Sequence, residues 1–151
     1  ISFDPSKTYG VMDWGRVVWP HDINWLWANG TTRLPDGKLF GFELTWGIGD
    51  DSNATETCIF YDGKAHKLGE VGVEYNPGDM MKPWHFHDNE GRFQMTMIPY
   101  FNNKTEAMVG TLGSNGYQLH GKWSGKAVLD DGTVLEIKDM DAFCERVHNK
   151  W

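Results

Sequence analysis

Apolar residues recur at every second position through much of the chain. Phe40, Phe42, Leu44 and Trp46 share one parity, and Gly41, Glu43 and Thr45 take the other. Val71, Val73 and Tyr75 alternate with Gly72 and Glu74, and Phe93, Met95 and Met97 alternate with Gln94 and Thr96. Tyr117, Leu119 and Trp123 oppose Gln118, His120 and Lys122. Successive side chains of a strand point to opposite faces, so each run predicts a strand that buries one face and presents the other. Turn signals separate the runs: Asp36-Gly37, Asp62-Gly63, Asn89-Glu90-Gly91 and Asp131-Gly132. Asp-Gly suits a two-residue hairpin turn, whose central residues both need positive φ.

This pattern predicts strands near residues 11–19, 22–29, 38–47, 57–61, 65–75, 82–87, 92–100, 105–112, 116–129 and 133–137. From Asp139 the period changes. Acidic capping candidates precede Phe143, Val147 and Trp151, whose spacing of four predicts one apolar stripe on a short C-terminal helix. The fold class is all-β, an antiparallel up-and-down meander with that closing helix. So many strands strain an open twisted sheet, and an open edge invites aggregation. Closure into a barrel, a half-barrel or a sandwich is the physical remedy, and a barrel of this size either fills its interior or holds one small ligand.

Composition narrows the picture. The 151 residues make one domain, with no linker or repeat. Net charge is −7, which argues against broad nucleic-acid binding. No apolar run approaches the roughly 20 residues of a membrane helix. Without a charged leader and an apolar stretch at the N-terminus, the expected state is soluble and cytoplasmic. The chain starts at Ile1 and not at Met, so a piece of a longer protein is expected. Two thiols, Cys58 and Cys144, make no disulfide framework, and whether they pair is open. Sequons at Asn29, Asn53 and Asn103 matter only on a eukaryotic secretory route. The unusual counts are 18 Gly and 8 Trp, which suggest many turns and an aromatic-rich wall.

Half of those tryptophans crowd one stretch. Gly10 to Gly30 holds Trp14, Trp19, Trp25 and Trp27 beside Asp13, Arg16 and His21. The functional reading is a pocket whose rings supply contact area at low entropy cost, with Asp13 or Arg16 orienting a polar group. The bland reading is a packed core with Arg16 stacked on Trp14 or Trp151. Asp13 leans neither way, because Asp within a strand is disfavoured unless it has a role. Trp46 and Trp84 are further candidate ligand-binding rings. His85 and His87 would project from one strand face, as metal ligands do, and His120 or Glu43 could supply a third ligand. No Cys or carboxylate pair sits at a spacing that strengthens the case, so solvent-facing histidines are preferred and no metal or cofactor is expected. Glu43, Thr45, His85, Gln94, Thr96, Gln118 and His120 form a polar face. It lines a cavity if the apolar faces point outward and is ordinary exterior if they point inward. His120 is the candidate there for acid–base work, beside Asp13. Nucleophile elbows, phosphate loops and dinucleotide fingerprints are missing.

Five phrases carry a family resemblance: Val11-Met-Asp-Trp-Gly-Arg-Val-Val-Trp-Pro20, Gly63-Lys-Ala-His-Lys-Leu-Gly69, Met81-Lys-Pro-Trp84, Gly121-Lys-Trp-Ser-Gly125 and Leu129-Asp-Asp-Gly-Thr133. They resemble the C-terminal half of domain-of-unknown-function family 2804, with Asp-Trp-Gly-Arg followed by Trp-Pro the most specific phrase. That family is similar, at greater distance, to lipocalin-like double barrels such as carotenoid hydratases, tocopherol cyclase and fungal Diels–Alder cyclases. The resemblance implies two tandem barrels or half-barrels with a cavity near their junction, and a partner in a missing N-terminal half or second chain. It implies no activity. Asp13, Trp14, Arg16, Trp19, Lys82, Pro83 and Trp84 match the motifs, while His21, Asp22 and His120 depart from them.

Three functions follow as expectations. The first is a lipocalin-like barrel that binds an apolar or amphipathic small molecule, with any isomerisation, hydration or cyclisation proton-assisted by Asp13 while Trp rings stabilise positive charge. The second is a carbohydrate-binding or carbohydrate-active module using exposed Trp with Asp13 and Glu43. The third is a structural half-barrel completed by a partner.

Overall fold

Alternation and turn chemistry set the strands of the computed structural model, which describes residues 1–151. There are nine: β1 (Asp22–Arg33), β2 (Leu39–Trp46), β3 (Cys58–Tyr61), β4 (Lys64–Lys67), β5 (Val71–Glu74), β6 (Trp84–Asp88), β7 (Phe93–Val109), β8 (Leu112–Val128) and β9 (Val134–Lys150). They form one antiparallel sheet in the order β4-β3-β2-β1-β9-β8-β7-β6-β5. First and last strands are neighbours at its centre. The two edges, β4 and β5, follow one another in sequence. The meander therefore curls into a half-barrel whose opening lies beside Leu68-Gly69-Glu70, and the expected all-β class holds.

The turns are more varied than expected. Only Asp62-Gly63 places both residues at positive φ, 50° and 79°. At Asp36-Gly37 and Asp131-Gly132 the glycine alone does so, at 85° in each. There Leu34 N–H donates to Lys38 O and Leu129 N–H to Thr133 O, 2.9 Å in both, which closes three-residue loops.

Four boundaries differ from the expected ones. Residues 11–19 lie outside the sheet, because β1 is already paired on both sides and Pro20 removes a donor. The expected strand 65–75 is two, β4 and β5, separated by the opening. The expected strands 92–100 and 105–112 are joined in β7, which keeps going through a register shift between Pro99 and Phe101 and turns after Val109. The C-terminal helix is replaced by β9. A spacing of four fits a strand face as well as a helix stripe, since every second strand residue shares a face. β1 and β8 each offer an edge to residues 142–150, and pairing with both satisfies far more backbone than a lone short helix could. Asp139, at φ 51°, absorbs an irregularity opposite Ser124 and does not cap anything helical.

The concave face is the core. It holds the fully buried Phe40, Phe42, Phe86, Phe93, Trp84 and Trp123. The Trp123 ring lies 4.4 Å from Phe86 and 4.7 Å from Phe42, so the curled sheet meets itself across the middle. Close-packed rings fill the middle of this interior. Arg92 ties the sides of the opening: its guanidinium donates to Lys67 O (2.9 Å), Val128 O (3.2 Å) and Asp130. Trp46 crosses the same opening, its indole donating to Val71 O. Cys144 faces the core and Cys58 has the opposite parity to buried Ile59; both are free thiols. No helix is long and apolar enough to cross a membrane.

Candidate binding site

The convex face of β2, β1, β9 and β8 is where chemistry collects. Strand register places its side chains in rows. One row runs Glu43, Asn29, Phe143, His120; the next runs Thr45, Trp27, Glu145, Gln118. Trp25 follows beside Val147, then Ile23 beside Asn149. Neighbours two residues apart on adjacent strands reach one another diagonally, and the carboxylates use that reach. Trp27 Nε1 donates to Glu43, whose other oxygen accepts from Asn29 Nδ2 at 2.6 Å. Trp25 Nε1 donates to Glu145 at 2.8 Å, and Gln118 Nε2 to the second Glu145 oxygen at 3.2 Å. Both indoles are thus pinned by their N–H groups, and Trp27 packs edge-on against Phe143 at 4.8 Å.

Residues 1–21 form an arm that stands over this face without joining the sheet. Its base is fixed. Asp22 accepts from Lys150 Nζ and pairs with His148 Nε2, both at 2.8 Å, and Trp151 N–H donates to His21 O at 3.1 Å. From there the arm carries Trp19 onto Trp25, rings stacked at 6.0 Å. Between arm and sheet lies an open cleft of about 680 Å³. Its aromatic walls are Trp14, Trp19, Trp25, Trp27 and Trp151; its polar groups include Asp13, Glu43, Glu56, Glu145 and Asn149.

Glu43 is the perturbed acid. Burial pushes its pKa above the ordinary glutamate value; the Asn29 and Trp27 donors pull it back, and the Glu56 and Asp13 charges push it up further. Asp13 on the arm and Glu56 before β3 therefore share an electrostatic neighbourhood with Glu43. Burial likewise raises the Cys58 thiol, opposite Glu43 in register. Apolar ring faces beside hydrogen-bond acceptors can hold an amphipathic molecule by its body and its polar end. No group of three or more His, Cys, Asp and Glu is arranged to hold a metal ion.

The structure brings Asp13, Trp14, Trp19, Trp25 and Trp27 together, on the convex face and not inside a barrel. Arg16 is exposed and lies outside the lining. Trp46 and Trp84 belong to the interior: Trp46 packs on Phe86, while Trp84 stacks on Tyr75 at 4.0 Å and donates to Met80 O at 3.0 Å. His120 sits in a separate hollow of about 380 Å³ with Tyr100 and Asp141, its ring 6.1 Å from Phe143. The polar face divides as well. Glu43 and Thr45 line the cleft, whereas His85 and Gln94 are exposed, His85 Nδ1 resting 3.0 Å from Thr96 Oγ1. Glu56, Glu145, Asn149 and Ile23 were not among the sequence candidates. For Glu145 and Asn149 the signal was there, in the parity of Phe143, Glu145, Val147 and Asn149, which a helical reading of that segment conceals.

Neither the curated proteins nor the solved structures yield a match, so the expected likeness to carotenoid hydratases, tocopherol cyclase and Diels–Alder cyclases gains no support there. The family model described as Domain of unknown function (DUF2804) matches residues 1–151, the whole of this chain. The chain belongs to the DUF2804 family.

Proposed function

We propose that the cleft between the arm and the convex sheet face binds an amphipathic small molecule. The observation that carries this reading is the convergence of Trp14, Trp19, Trp25 and Trp27 on one open volume while the half-barrel interior is filled. Two of these rings are held rigid by Glu43 and Glu145, so little side-chain entropy is lost when a ligand docks against them. Asp13 and Glu43 are the acids placed to meet a ligand's polar end, and any proton transfer there falls to them, with His120 outside the cleft.

The eight indole N–H groups supply the test. Titration of the labelled protein with a fragment library of amphipathic molecules, followed by heteronuclear NMR, should move the Trp14, Trp19, Trp25 and Trp27 indole signals. Those of Trp84 and Trp123 should stay. Shifts centred on Trp84 or Trp123, or none with any fragment, would sink the proposal.

A carbohydrate is the second reading, favoured by one observation: Trp14 is 79% and Trp19 45% exposed, as rings that stack on sugars must be. Disaccharides in the same library separate the two.

A further inference from the structure

The charged groups of the cleft have one sign. Asp13, Glu43, Glu56 and Glu145 all line it, and no Lys, Arg or His does. The nearest arm cation by sequence, Arg16, lies outside the lining, while Asp22 pairs with His148 and Lys150. The Trp25 and Trp27 indole N–H groups are already spent on Glu145 and Glu43, so the donors that remain are neutral ones, the Trp14, Trp19 and Trp151 indoles and the Asn149 amide, beside carboxylate oxygens and ring faces. On the same wall Asn149 Oδ1 is buried with no hydrogen-bond partner.

These acceptors crowd one another. The Asp13 and Glu56 charges already disfavour ionisation of Glu43, so a positive group placed among them relieves repulsion as well as gaining attraction. Trp faces add to this, since the ring quadrupole attracts a cation lying over it. A fatty carboxylate would meet four acids here.

Resting on the proposed cleft, we infer that its ligand is an organic cation: an ammonium or related group seated among Asp13, Glu43, Glu145 and Asn149, with its apolar body between the tryptophan rings.

Four probes of equal chain length test the inference: hexylamine, trimethylhexylammonium, 1-hexanol and hexanoate, each titrated at low salt with tryptophan indole NMR as readout. The amine and the quaternary ammonium should bind on the order of tenfold tighter than the alcohol, and hexanoate weakest. Raising salt should narrow the gap. Glu145→Gln keeps an acceptor for Trp25 and should cost the two cations several-fold more than it costs hexanol. Glu74→Gln, an equal charge change on exposed β5, should leave all four unchanged. If hexanol matches the amine at the same indoles, the cleft stands and the cation inference fails. Equal losses from Glu74→Gln and Glu145→Gln would reduce the effect to net charge and overturn it too. Binding of none of the probes, or shifts only at core indoles, defeats the cleft itself.

Discussion

Trp27 and Glu43 are the most informative pair in the cleft, because the contact links stability to the charge of the site. Trp27→Phe keeps a ring against Phe143 and deletes the indole donor to Glu43, whose carboxylate then holds only Asn29. A hydrogen bond to a charged group contributes about 1.5–3 kcal/mol when buried. Glu43 is only half-buried, so solvent screening reduces that to about 1 kcal/mol. At 151 residues this lowers Tm by about 2–4 °C. Because the substitution also trims the ring, the contact is isolated by a cycle of Trp27→Phe, Glu43→Met (similar in length, without the carboxylate acceptor) and the double variant, with urea unfolding as the assay.

The sign of the pH dependence follows from the raised pKa. The folded state holds the Glu43 proton more tightly than the unfolded chain does. The resulting stability is present in full below the unfolded value of about 4.3, and it fades as pH rises through the folded value. The Trp27 donor favours the carboxylate, so removing it raises the pKa further and steepens that loss. The Trp27→Phe penalty and the coupling to Glu43 should therefore be larger at pH 7 than at pH 4. Additivity within about 0.3 kcal/mol at pH 7, or a penalty that grows on acidification, refutes the reasoning.

Three further outcomes test the frame around the site. Trp123→Ala should cost about 3–5 kcal/mol by chemical denaturation, while Trp123→Phe should cost much less than its volume suggests, since it also removes a buried indole N–H that has no partner. Arg92→Met should speed hydrogen exchange at β4 and β5 before the rest of the sheet, because three acceptors on two sides of the opening lose their donor together. With a mild alkylating reagent on the folded protein, mass spectrometry should find Cys58 modified slowly and Cys144 only after unfolding, as full burial drives the Cys144 thiol far above its ordinary pKa.

Much of this frame is legible in the sequence, and the exceptions share a cause. The alternation in Phe40-Phe42-Leu44-Trp46 and in Phe93-Met95-Met97 marks the buried faces, since sheet parity is a local property of the chain. The fate of residues 11–19 and 139–151 is not local. Both segments carry mixed patterns, and what separates them is which of them finds free strand edges. Residues 142–150 fit between β1 and β8, and residues 11–19 are left without a partner. The same choice reassigns the tryptophans. Trp46 and Trp84 look like Trp25 and Trp27 in composition, yet strand parity sends the first pair inward and the second outward.

That outward pair explains why the candidate site lies where a barrel ordinarily meets water. Filling the concave face with Trp84, Trp123 and phenylalanine rings gives the sheet its buried core. A second apolar surface, on β1 and β9, then requires its own cover. The arm supplies that cover only in part. Trp19 stacks on Trp25 and the arm's base is tied through Asp22, but between Val11 and Trp19 no backbone hydrogen bond holds the arm to the sheet. A layer anchored at one end and resting on rings encloses volume more readily than a paired strand, which would bring its backbone to about 4.8 Å from its neighbour's. The failure of residues 11–19 to form a strand is therefore what opens the cleft, and the Asp-Trp-Gly-Arg phrase falls within that segment.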